Sequence, residues 1–150
     1  MERTLVLVKP DAIQRGLVGE VISRLERRGL KIVAMKMLQM DKALAVRHYS
    51  VHQGKPFYDS LVDFITSCPI IAAVFEGTNA VQVVRKTMGE TDPAKSPAGS
   101  IRGDLAIEVQ HNLIHGSDSV ENAAKETTLF FSPKEIQSYS RDMDRWVEGK

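Results

Sequence analysis

One histidine of this sequence stands out because of the residues around it. His115 follows the apolar residues Leu113 and Ile114 and precedes Gly116 and Ser117. The apolar pair can be buried, Gly116 removes side-chain bulk next to the ring, and Ser117 adds a hydroxyl. A free imidazole has a pKa of about 6.5, so a neutral histidine can act as a nucleophile or general base at cellular pH. We therefore expect one face of the His115 ring to be open to a substrate.

A helix is predicted directly after this segment. Asp118, a candidate N-cap, and Glu121 three residues later match a capping box ahead of helix-forming residues. Helix N-termini favour anions, so the surroundings of His115 suit an anionic ligand. Glu126 lies two turns into the same helix and is a candidate acceptor to hold one ring nitrogen, although spacing alone leaves open whether its carboxylate reaches back. The alternative for Glu126 is an ordinary surface position.

Composition limits the classes of protein to consider. The chain has 150 residues, 43% of them hydrophobic, and a net charge of +1, which predicts a single domain over residues 1–150 and argues against binding nucleic acid through overall charge. The single cysteine, Cys68, excludes an intrachain disulfide and favours a reducing compartment. The longest apolar run, residues 70–75, is too short to cross a bilayer. We expect a cytoplasmic protein that requires neither membrane nor nucleic acid as a partner.

Hydrophobic periodicity predicts the elements that must position these residues. β-branched runs and apolar alternation predict strands at residues 4–8, 31–40, 70–75 and 105–109. Helical spacing predicts helices over 17–28 and 79–88, two pieces within 42–67 with Pro56 opening the second, and a last helix from Pro133. The order predicts an α+β fold of the ferredoxin-like split βαβ type, a four-stranded antiparallel sheet with a helical insertion after strand 2. The loop 89–104 is long and lacks a hydrophobic period, which usually marks function or mobility.

Neither standard phosphate-binding loop occurs in the sequence. Without a G-x-x-x-x-G-K-[ST] or G-x-G-x-x-G segment, a phosphate ligand would have to be held by side chains. Cations and hydroxyls at strand ends or near helix ends are available at five positions: Lys9, Tyr49, Arg85, Thr91 and Arg102. The alternative for each of them is a solvated surface residue.

The other histidines are weaker candidates. His48 and His52 are spaced to share one helix face, which can suit a metal, yet the sequence shows no carboxylate or cysteine that completes a set of ligands. We therefore predict no metal ligands from the protein. His111, at the end of the predicted fourth strand, is interpreted as a surface residue.

Five segments, in order along nearly the whole chain, closely resemble the nucleoside diphosphate kinases. They are Lys9-Pro10-Asp11, residues 14–20 (QRGLVGE), Gly89-Glu90-Thr91, residues 100–104 (SIRGD) and residues 112–119 (NLIHGSDS). The resemblance implies the ferredoxin-like sheet already predicted. It also implies a ping-pong transfer of the γ-phosphate of a nucleoside triphosphate, typically ATP, to a nucleoside diphosphate, with broad base specificity.

The resemblance assigns a role to each matching residue. His115 would be the nucleophile that becomes phosphorylated, Glu126 and Ser117 would orient its ring, and Tyr49 would act near the reacting phosphoryl group. Other positions would bind the nucleotide: Arg85, Thr91 and Arg102 at the phosphates, Lys9 and Asn112 at the ribose hydroxyls, and Phe57 and Val109 on either side of the base. Mg²⁺ would be bound together with the nucleotide.

The family also implies a homo-oligomer, and the tail at residues 145–148 is more similar to the hexameric than to the tetrameric type. Three positions depart from the family pattern: Cys68 stands where glycine is common, Asp92 where asparagine is common, and Ala98 where proline is common. None of them is a predicted site residue. Asp92, however, puts a negative charge beside Thr91, which would slightly weaken phosphate binding.

A binding module without catalysis is the alternative function, because the same sheet topology serves nucleotide- and RNA-binding domains. The aromatic pattern of RNA-recognition strands is missing, and the net charge is only +1. A sheet that reads RNA also has no need of the His-Gly-Ser-Asp segment. The sequence therefore favours the enzyme.

Overall fold

A four-stranded antiparallel sheet forms the centre of the computed structural model, which describes residues 1–149. The strands lie in the order β2-β3-β1-β4, and their bounds are β1 Glu2–Val8, β2 Lys31–Leu38, β3 Ile70–Gly77 and β4 Ile114–Gly116. Strand β3 lies between β1 and β2, and β1 lies between β3 and β4. This is the split βαβ arrangement, so the predicted ferredoxin-like α+β fold is confirmed.

Eight α-helices surround the sheet within the described residues. Their bounds are α1 Pro10–Gln14, α2 Val18–Arg27, α3 Lys42–His48, α4 Tyr58–Ile65, α5 Ala80–Met88, α6 Ile101–Leu105, α7 Val120–Phe130 and α8 Asp144–Val147. Helices α3 and α4 follow β2 and form the predicted helical insertion.

Both faces of the sheet are covered, and β1 belongs to both cores. Val6 and Val8 pack in a core with residues of α2 and α5, whereas Leu5 and Leu7 pack with residues of α3, α4 and α7. A strand buried on both faces has a continuous apolar run, not an alternating one, which is the pattern of residues 4–8. The insertion and α7 therefore supply the second cover that lets β1 lie at the centre of the molecule.

The predicted fourth strand at residues 105–109 is wrong. Residues up to Leu105 belong to α6, whose first turn is capped by Ser100, because the Ser100 hydroxyl accepts from Gly103 N at 3.0 Å. The apolar alternation has no buried face, since Ile107 is 93% exposed and Val109 is 46% exposed. The true fourth strand is the three-residue β4, so His115 lies in a strand.

Several predicted helix limits also change. A short helix, α1, begins at Pro10, where the periodicity predicts no helix, and the predicted loop 89–104 contains most of α6. Pro56 lies two residues before α4 begins. The predicted last helix is only a single 3₁₀ turn, Pro133–Glu135, although its capping box with Ser132 is formed.

The N-cap of α7 is Ser119, not Asp118. Ser119 Oγ accepts from Asn122 N at 3.0 Å, while Asp118 accepts from the Asn122 side-chain amide at 2.6 Å. Both residues satisfy donors near the helix start, so the predicted helix exists with its cap moved by one residue.

Candidate functional site

The register of β4 fixes the direction in which His115 points. His115 is paired with Leu7, and Gly116 is paired with Val6. Side chains directly opposite one another on antiparallel strands share a face. His115 therefore points to the Leu7 side of the sheet, where α3 and α7 pack.

Gly116 lies on the opposite face, against α5. A Cβ atom at this position would lie 2.8 Å from Met88 Sδ and 2.9 Å from Val84 Cγ1. Both distances are shorter than van der Waals contact, so a larger residue would push α5 away from the sheet or move β4. The glycine after His115 thus lets β4 lie close beneath α5 and does not serve to open the imidazole.

Glu126 holds one nitrogen of the His115 ring. Its helix, α7, buries Ala123, Thr127 and Phe130 against the sheet, which brings Glu126 to the edge of that contact. His115 Nε2 lies 2.5 Å from Glu126 Oε1, and the two side chains are 25% and 16% exposed. Nδ1 has no hydrogen-bond or ion-pair partner among residues 1–149. A carboxylate at Nε2 favours the tautomer in which Nε2 carries the proton and Nδ1 keeps a lone pair.

A second histidine packs against the first. The rings of His48 and His115 are T-shaped, with centroids 4.8 Å apart, and His48 Nδ1 lies 3.7 Å from Glu126 Oε1. The His48 side chain is only 2% exposed, and neither of its ring nitrogens has a hydrogen-bond partner within the described residues. Burial, with smaller effects from His115, Lys9 and His52, lowers the pKa of His48 to about 2. His48 is therefore neutral.

Tyr49 extends this aromatic cluster on α3. It is buried, and its ring lies 4.7 Å from the His48 ring. Burial, and then the charge of Glu126, raises the pKa of Tyr49 to about 12. The phenol therefore keeps its proton and is available as a hydrogen-bond donor.

The backbone just before β4 is held in an uncommon conformation. Leu113 is fully buried with φ of 74°, in the left-handed region that costs a non-glycine residue about 1–3 kcal/mol. Leu113 N donates to Asp11 Oδ2 at 3.0 Å, and Leu113 O accepts from Lys9 N at 2.9 Å. The start of α1 therefore fixes the chain two residues before His115.

Arg102 ties three backbone segments together. It is 4% exposed and donates from Nε to Asn112 O at 3.1 Å, from Nη1 to Gly89 O at 3.2 Å and from Nη2 to Ile114 O at 2.6 Å. A guanidinium has five N–H groups, so two remain for a ligand. Burial, and then the nearby Arg85, lowers the pKa of Arg102 to about 10, which leaves it charged at neutral pH.

Asn112 and Lys9 form the next part of this network. Asn112 Oδ1 accepts from Lys9 Nζ at 2.7 Å, and Asn112 Nδ2 donates to Thr91 O at 2.9 Å. Burial, followed by the charge of Arg102, lowers the pKa of Lys9 to about 8, so most of it is protonated at pH 7. Two predicted ribose contacts and one predicted phosphate contact are thus joined in the protein itself.

The remaining predicted phosphate residues border the same network. Arg85 Nη1 lies 3.3 Å from Gly116 O, next to His115, and Thr91 is exposed. The carboxylate of Asp92 accepts from Ala94 N at 3.0 Å and caps a 3₁₀ turn. Asp92 thus has a structural role as the cap of this turn.

Phe57 and Val109, predicted to enclose a base, are 42% and 46% exposed. Phe57 is the N-cap of α4, and Val109 lies in the turn after α6. The two segments are linked by a ring contact of His111 with Phe64 of α4, whose centroids are 5.1 Å apart. Exposed apolar side chains on adjoining segments are what stacking on a flat base requires.

Ser117 differs from the other predicted residues. It is fully buried, and its hydroxyl has no hydrogen-bond partner within residues 1–149. Its hydroxyl does not hydrogen-bond to the imidazole of His115. No contact in this structure therefore supports the predicted orienting role of Ser117.

The sequence analysis predicted neither the contact of His48 with His115 and Glu126 nor the roles of Asp11 and Leu113 in holding the chain before β4. A signal for His48 was available, because it falls on the same helical face as the buried Ala45 and next to Tyr49. The positive φ of Leu113 had no signal, since a leucine does not mark such a conformation.

Comparison with known proteins finds relatives over nearly the whole chain. The family model described as nucleoside diphosphate kinase matches residues 2–136. The chain is 56% identical over 149 residues to a nucleoside diphosphate kinase of Thermomicrobium roseum, covering 99% of this chain and 100% of the relative. The chain belongs to the nucleoside diphosphate kinase family. Among solved structures, a nucleoside diphosphate kinase of Halobacterium salinarum in complex with CDP has a TM-score of 0.95 and 48% identity and covers 97% of each chain.

A second solved structure, a nucleoside diphosphate kinase family protein of Babesia bovis, also has a TM-score of 0.95, with 40% identity and coverage of 98% of this chain and 99% of that one. Membership of the nucleoside diphosphate kinase family at this identity and coverage makes the protein an enzyme that transfers phosphate between nucleotides, and the non-catalytic alternative is not favoured. None of the helices within residues 1–149 combines the length and the apolar character needed to cross a membrane.

Proposed function

We propose that His115 carries the phosphoryl group between two nucleotides. The carrying observation is that Glu126 occupies Nε2 while Nδ1 has no partner within the described chain. In the first half-reaction the Nδ1 lone pair attacks the γ-phosphorus of a nucleoside triphosphate, and the bond from phosphorus to the bridging oxygen breaks, so that the diphosphate leaves with the electron pair. In the second, a terminal oxygen of an acceptor diphosphate attacks the phosphorus and the P–N bond breaks.

Glu126 is the proposed positioning residue for this ring. Attack through Nδ1 places positive charge on the imidazole, and a carboxylate 2.5 Å from Nε2 stabilises that charge and keeps the ring in one orientation. Tyr49, held protonated beside His48, is proposed to donate to the reacting phosphoryl group. Ser117 is kept as a proposed orienting residue on the resemblance alone.

The cations around β4 are the proposed phosphate ligands. Arg85 and Arg102 lie near each other and next to the His115 strand, which suits a charge that spreads over phosphoryl oxygens in the transition state. Thr91 would add a hydroxyl. Lys9 and Asn112, already bonded to one another, would meet the ribose hydroxyls, and Phe57 and Val109 would lie against the base.

Mg²⁺ is the proposed divalent ion, and it would be bound with the nucleotide. Among residues 1–149 one group of three potential metal ligands occurs, and it contains two imidazoles and a single carboxylate. Mg²⁺ prefers oxygen ligands and commonly keeps waters and phosphate oxygens. This supports an ion held by the phosphates, whose charge Arg85 and Arg102 would further neutralise.

Broad base specificity follows from the proposed base contacts. Phe57 and Val109 offer apolar surface and no hydrogen-bonding group for a base edge, and every base has a flat face. With ATP as donor we expect GDP, CDP, UDP and dTDP all to be acceptors, at rates within about 10- to 100-fold. Rejection of three of them by more than about 10⁴-fold would require hydrogen-bonding recognition and contradict this proposal.

We further propose a single-domain, cytoplasmic homo-oligomer, a hexamer in preference to a tetramer. Exposed apolar side chains support association: Met35 and Met37 on the edge strand β2, Ile107 after α6, and Trp146 in α8. The single, unpaired Cys68 supports a reducing compartment. Sedimentation of the purified full chain tests the assembly.

Labelling tests the proposed function directly. The protein incubated with γ-labelled ATP and no acceptor should retain label that is acid-labile and alkali-stable, as expected for a phosphoramidate. The label should leave on addition of any nucleoside diphosphate. Double-reciprocal plots at several fixed acceptor concentrations should be parallel, because the donor product leaves before the acceptor reacts. A lack of retained label with normal turnover would exclude the phosphohistidine route.

A further inference from the structure

Three neighbouring side chains, those of His48, His115 and Glu126, each offer an atom that can bind a metal. One ring nitrogen each from His48 and His115 and one carboxylate oxygen of Glu126 lie within 4.8 Å of one another. The His48 side chain is 2% exposed, and neither of its nitrogens has a hydrogen-bond partner within residues 1–149. A buried polar group without a hydrogen bond is unfavourable, and a bound ligand is one way to satisfy it.

We propose that His48, His115 and Glu126 form a binding site for a borderline-soft divalent ion such as Zn²⁺, and that its occupation stops phosphoryl transfer. Two imidazole nitrogens and one carboxylate oxygen make a three-ligand set that leaves a fourth position for water. The same donor set is a poor match for Mg²⁺, which prefers oxygens, so this ion is distinct from the one bound with the nucleotide. The inhibitory half of the proposal rests on His115 being the nucleophile.

The distances require only small movements. Ligand atoms of a tetrahedral zinc ion with bonds near 2.0–2.1 Å lie about 3.3 Å apart. The pair His115 Nε2 and Glu126 Oε1, now at 2.5 Å, would open, and the pair His48 Nδ1 and Glu126 Oε1, now at 3.7 Å, would close. Each of these two changes is below about 1 Å, and the remaining pair, the nitrogens of His48 and His115, lies within 4.8 Å and would close by about 1.5 Å or less. The partial exposure of His115 and Glu126 gives the ion a route in.

Occupation would change which nitrogen of His115 carries the proton. A neutral imidazole has one N–H and one lone pair, and only the lone pair can bind a metal or attack phosphorus. With the ion on Nε2, the proton that Nε2 donated to Glu126 moves to Nδ1. Nδ1 then has no lone pair to attack phosphorus, and the carboxylate that supported the ring is bound to the metal. The site thus switches the tautomer of the nucleophile.

Direct binding is measured first, without nucleotide. The full-length protein is titrated with Co²⁺, whose visible absorption in a four-coordinate site reports binding, and Zn²⁺ is then added as competitor. We expect saturation at one Co²⁺ per chain and loss of the band with Zn²⁺. Replacing His48 with Phe keeps a ring of similar size and should weaken Co²⁺ binding at least tenfold, as should Glu126→Gln. The matched control is His111→Gln, which disrupts an exposed histidine–carboxylate pair with Glu108 and should bind like the parent.

Labelling by ATP then tests the switch. With Mg²⁺ in large excess over Zn²⁺, the nucleotide remains its magnesium complex, and we expect Zn²⁺ to reduce labelling of the parent protein and of His111→Gln at least tenfold, reversibly with a chelator. For His48→Phe the ratio of labelling with and without Zn²⁺ should be near one. If that variant does not fold, the Glu126→Gln titration decides the binding half.

The outcomes separate this proposal from the proposed function. Absence of the Co²⁺ band, or an undiminished band in both His48→Phe and Glu126→Gln, overturns the metal site whatever the labelling shows. Binding without any effect on labelling overturns the switch. A Co²⁺ band in a protein that takes up no label even without Zn²⁺ overturns the phosphohistidine function and leaves the metal site standing.

Discussion

The two sides of the His115 segment are built differently. On one side Arg102, Asn112 and Lys9 are buried or half-buried, and their charged or polar groups bond to one another or to backbone carbonyls. On the other side His115 and Glu126 share one short contact, while the two buried nitrogens of His48 have no hydrogen-bond partner among residues 1–149. The side with Arg102, Asn112 and Lys9 holds the backbone before β4. The side with His115 and Glu126 is the one able to react, through Nδ1 of His115. The first side is therefore a structural framework, and the second is the reaction centre.

The largest expected effect is on the reaction side. His115→Ala removes the proposed nucleophile, so both retained label and turnover should be lost. His52→Ala and His111→Ala should keep most of both, since neither ring approaches the Glu126 carboxylate within hydrogen-bonding distance. Normal labelling in His115→Ala, measured with γ-labelled ATP on folded protein, would show that another residue carries the phosphoryl group.

We expect residues of the framework side, such as Arg102, to contribute to the free energy of unfolding. Arg102→Met removes a buried cation and leaves the carbonyls of Gly89, Asn112 and Ile114 without their donor, so the free energy of unfolding should fall by about 3 kcal/mol. Urea denaturation measures it. Arg27→Met, at an exposed position where Nε donates to Ser23 Oγ at 3.2 Å, should change it by less than about 0.5 kcal/mol. Equal losses in the two variants would mean that Arg102 is not part of a stabilising framework.

Glu126 should matter for rate more than for stability. Loss of a residue that orients a reactive imidazole typically costs about 10- to 100-fold, less than loss of the nucleophile. Glu126→Ala should therefore still form the phosphoenzyme, only more slowly, in single-turnover labelling. Glu121→Ala, an exposed glutamate of the same helix paired with Lys125, is the control. A folded Glu126→Ala protein as inactive as His115→Ala would assign Glu126 a chemical and not a positioning role.

The smallest effect concerns acid sensitivity. Burial lowers the pKa of His48 to about 2. Below about pH 6.5 this histidine therefore becomes protonated in the unfolded chain and stays neutral in the folded chain. Through this group the free energy of unfolding therefore falls as pH drops below about 6.5, by up to about 1.4 kcal/mol per pH unit, and it is independent of pH above that value. His48→Phe should flatten the dependence of the free energy of unfolding between pH 6.5 and 5.

Unfolding by urea at several pH values in the presence of a chelator gives that dependence. The exposed-site variant His111→Gln should keep the slope of the parent. An unchanged slope in His48→Phe would mean that His48 is protonated in the folded protein, which would remove the difference between the two sides of the segment.

The elements that the sequence predicted are those in which burial leaves a recognisable pattern, a continuous apolar run in a strand or a helical period in a helix. Strand β1 and helix α2 are examples, because burial determines both the pattern and the structure. Strand β4 is only three residues long and exists through pairing with β1, so its own residues carry no alternation to detect. Residues 105–109 showed the alternation without the burial.

The functional site, like the fold, has parts that the sequence predicted and parts that it did not. His115, Arg102 and Asn112 lie in segments whose resemblance to a known family is local, so they could be named from the sequence. That Glu126 reaches His115, and that His48 lies against both, depends on packing α3 and α7 on the same face of the sheet. Such contacts join distant parts of the chain, and no local pattern encodes them. The three bonds of Arg102 to backbone carbonyls were hidden for the same reason.

The central claim is that Glu126 holds Nε2 of His115 and leaves Nδ1 to react. The most direct measurement is nuclear magnetic resonance of the phosphoenzyme, prepared from ATP with ¹⁵N-labelled histidine, in which the coupling between phosphorus and nitrogen identifies the phosphorylated atom. We expect one phosphorylated ring nitrogen, Nδ1 of His115. A phosphoryl group on Nε2, or on a different histidine, would contradict the account.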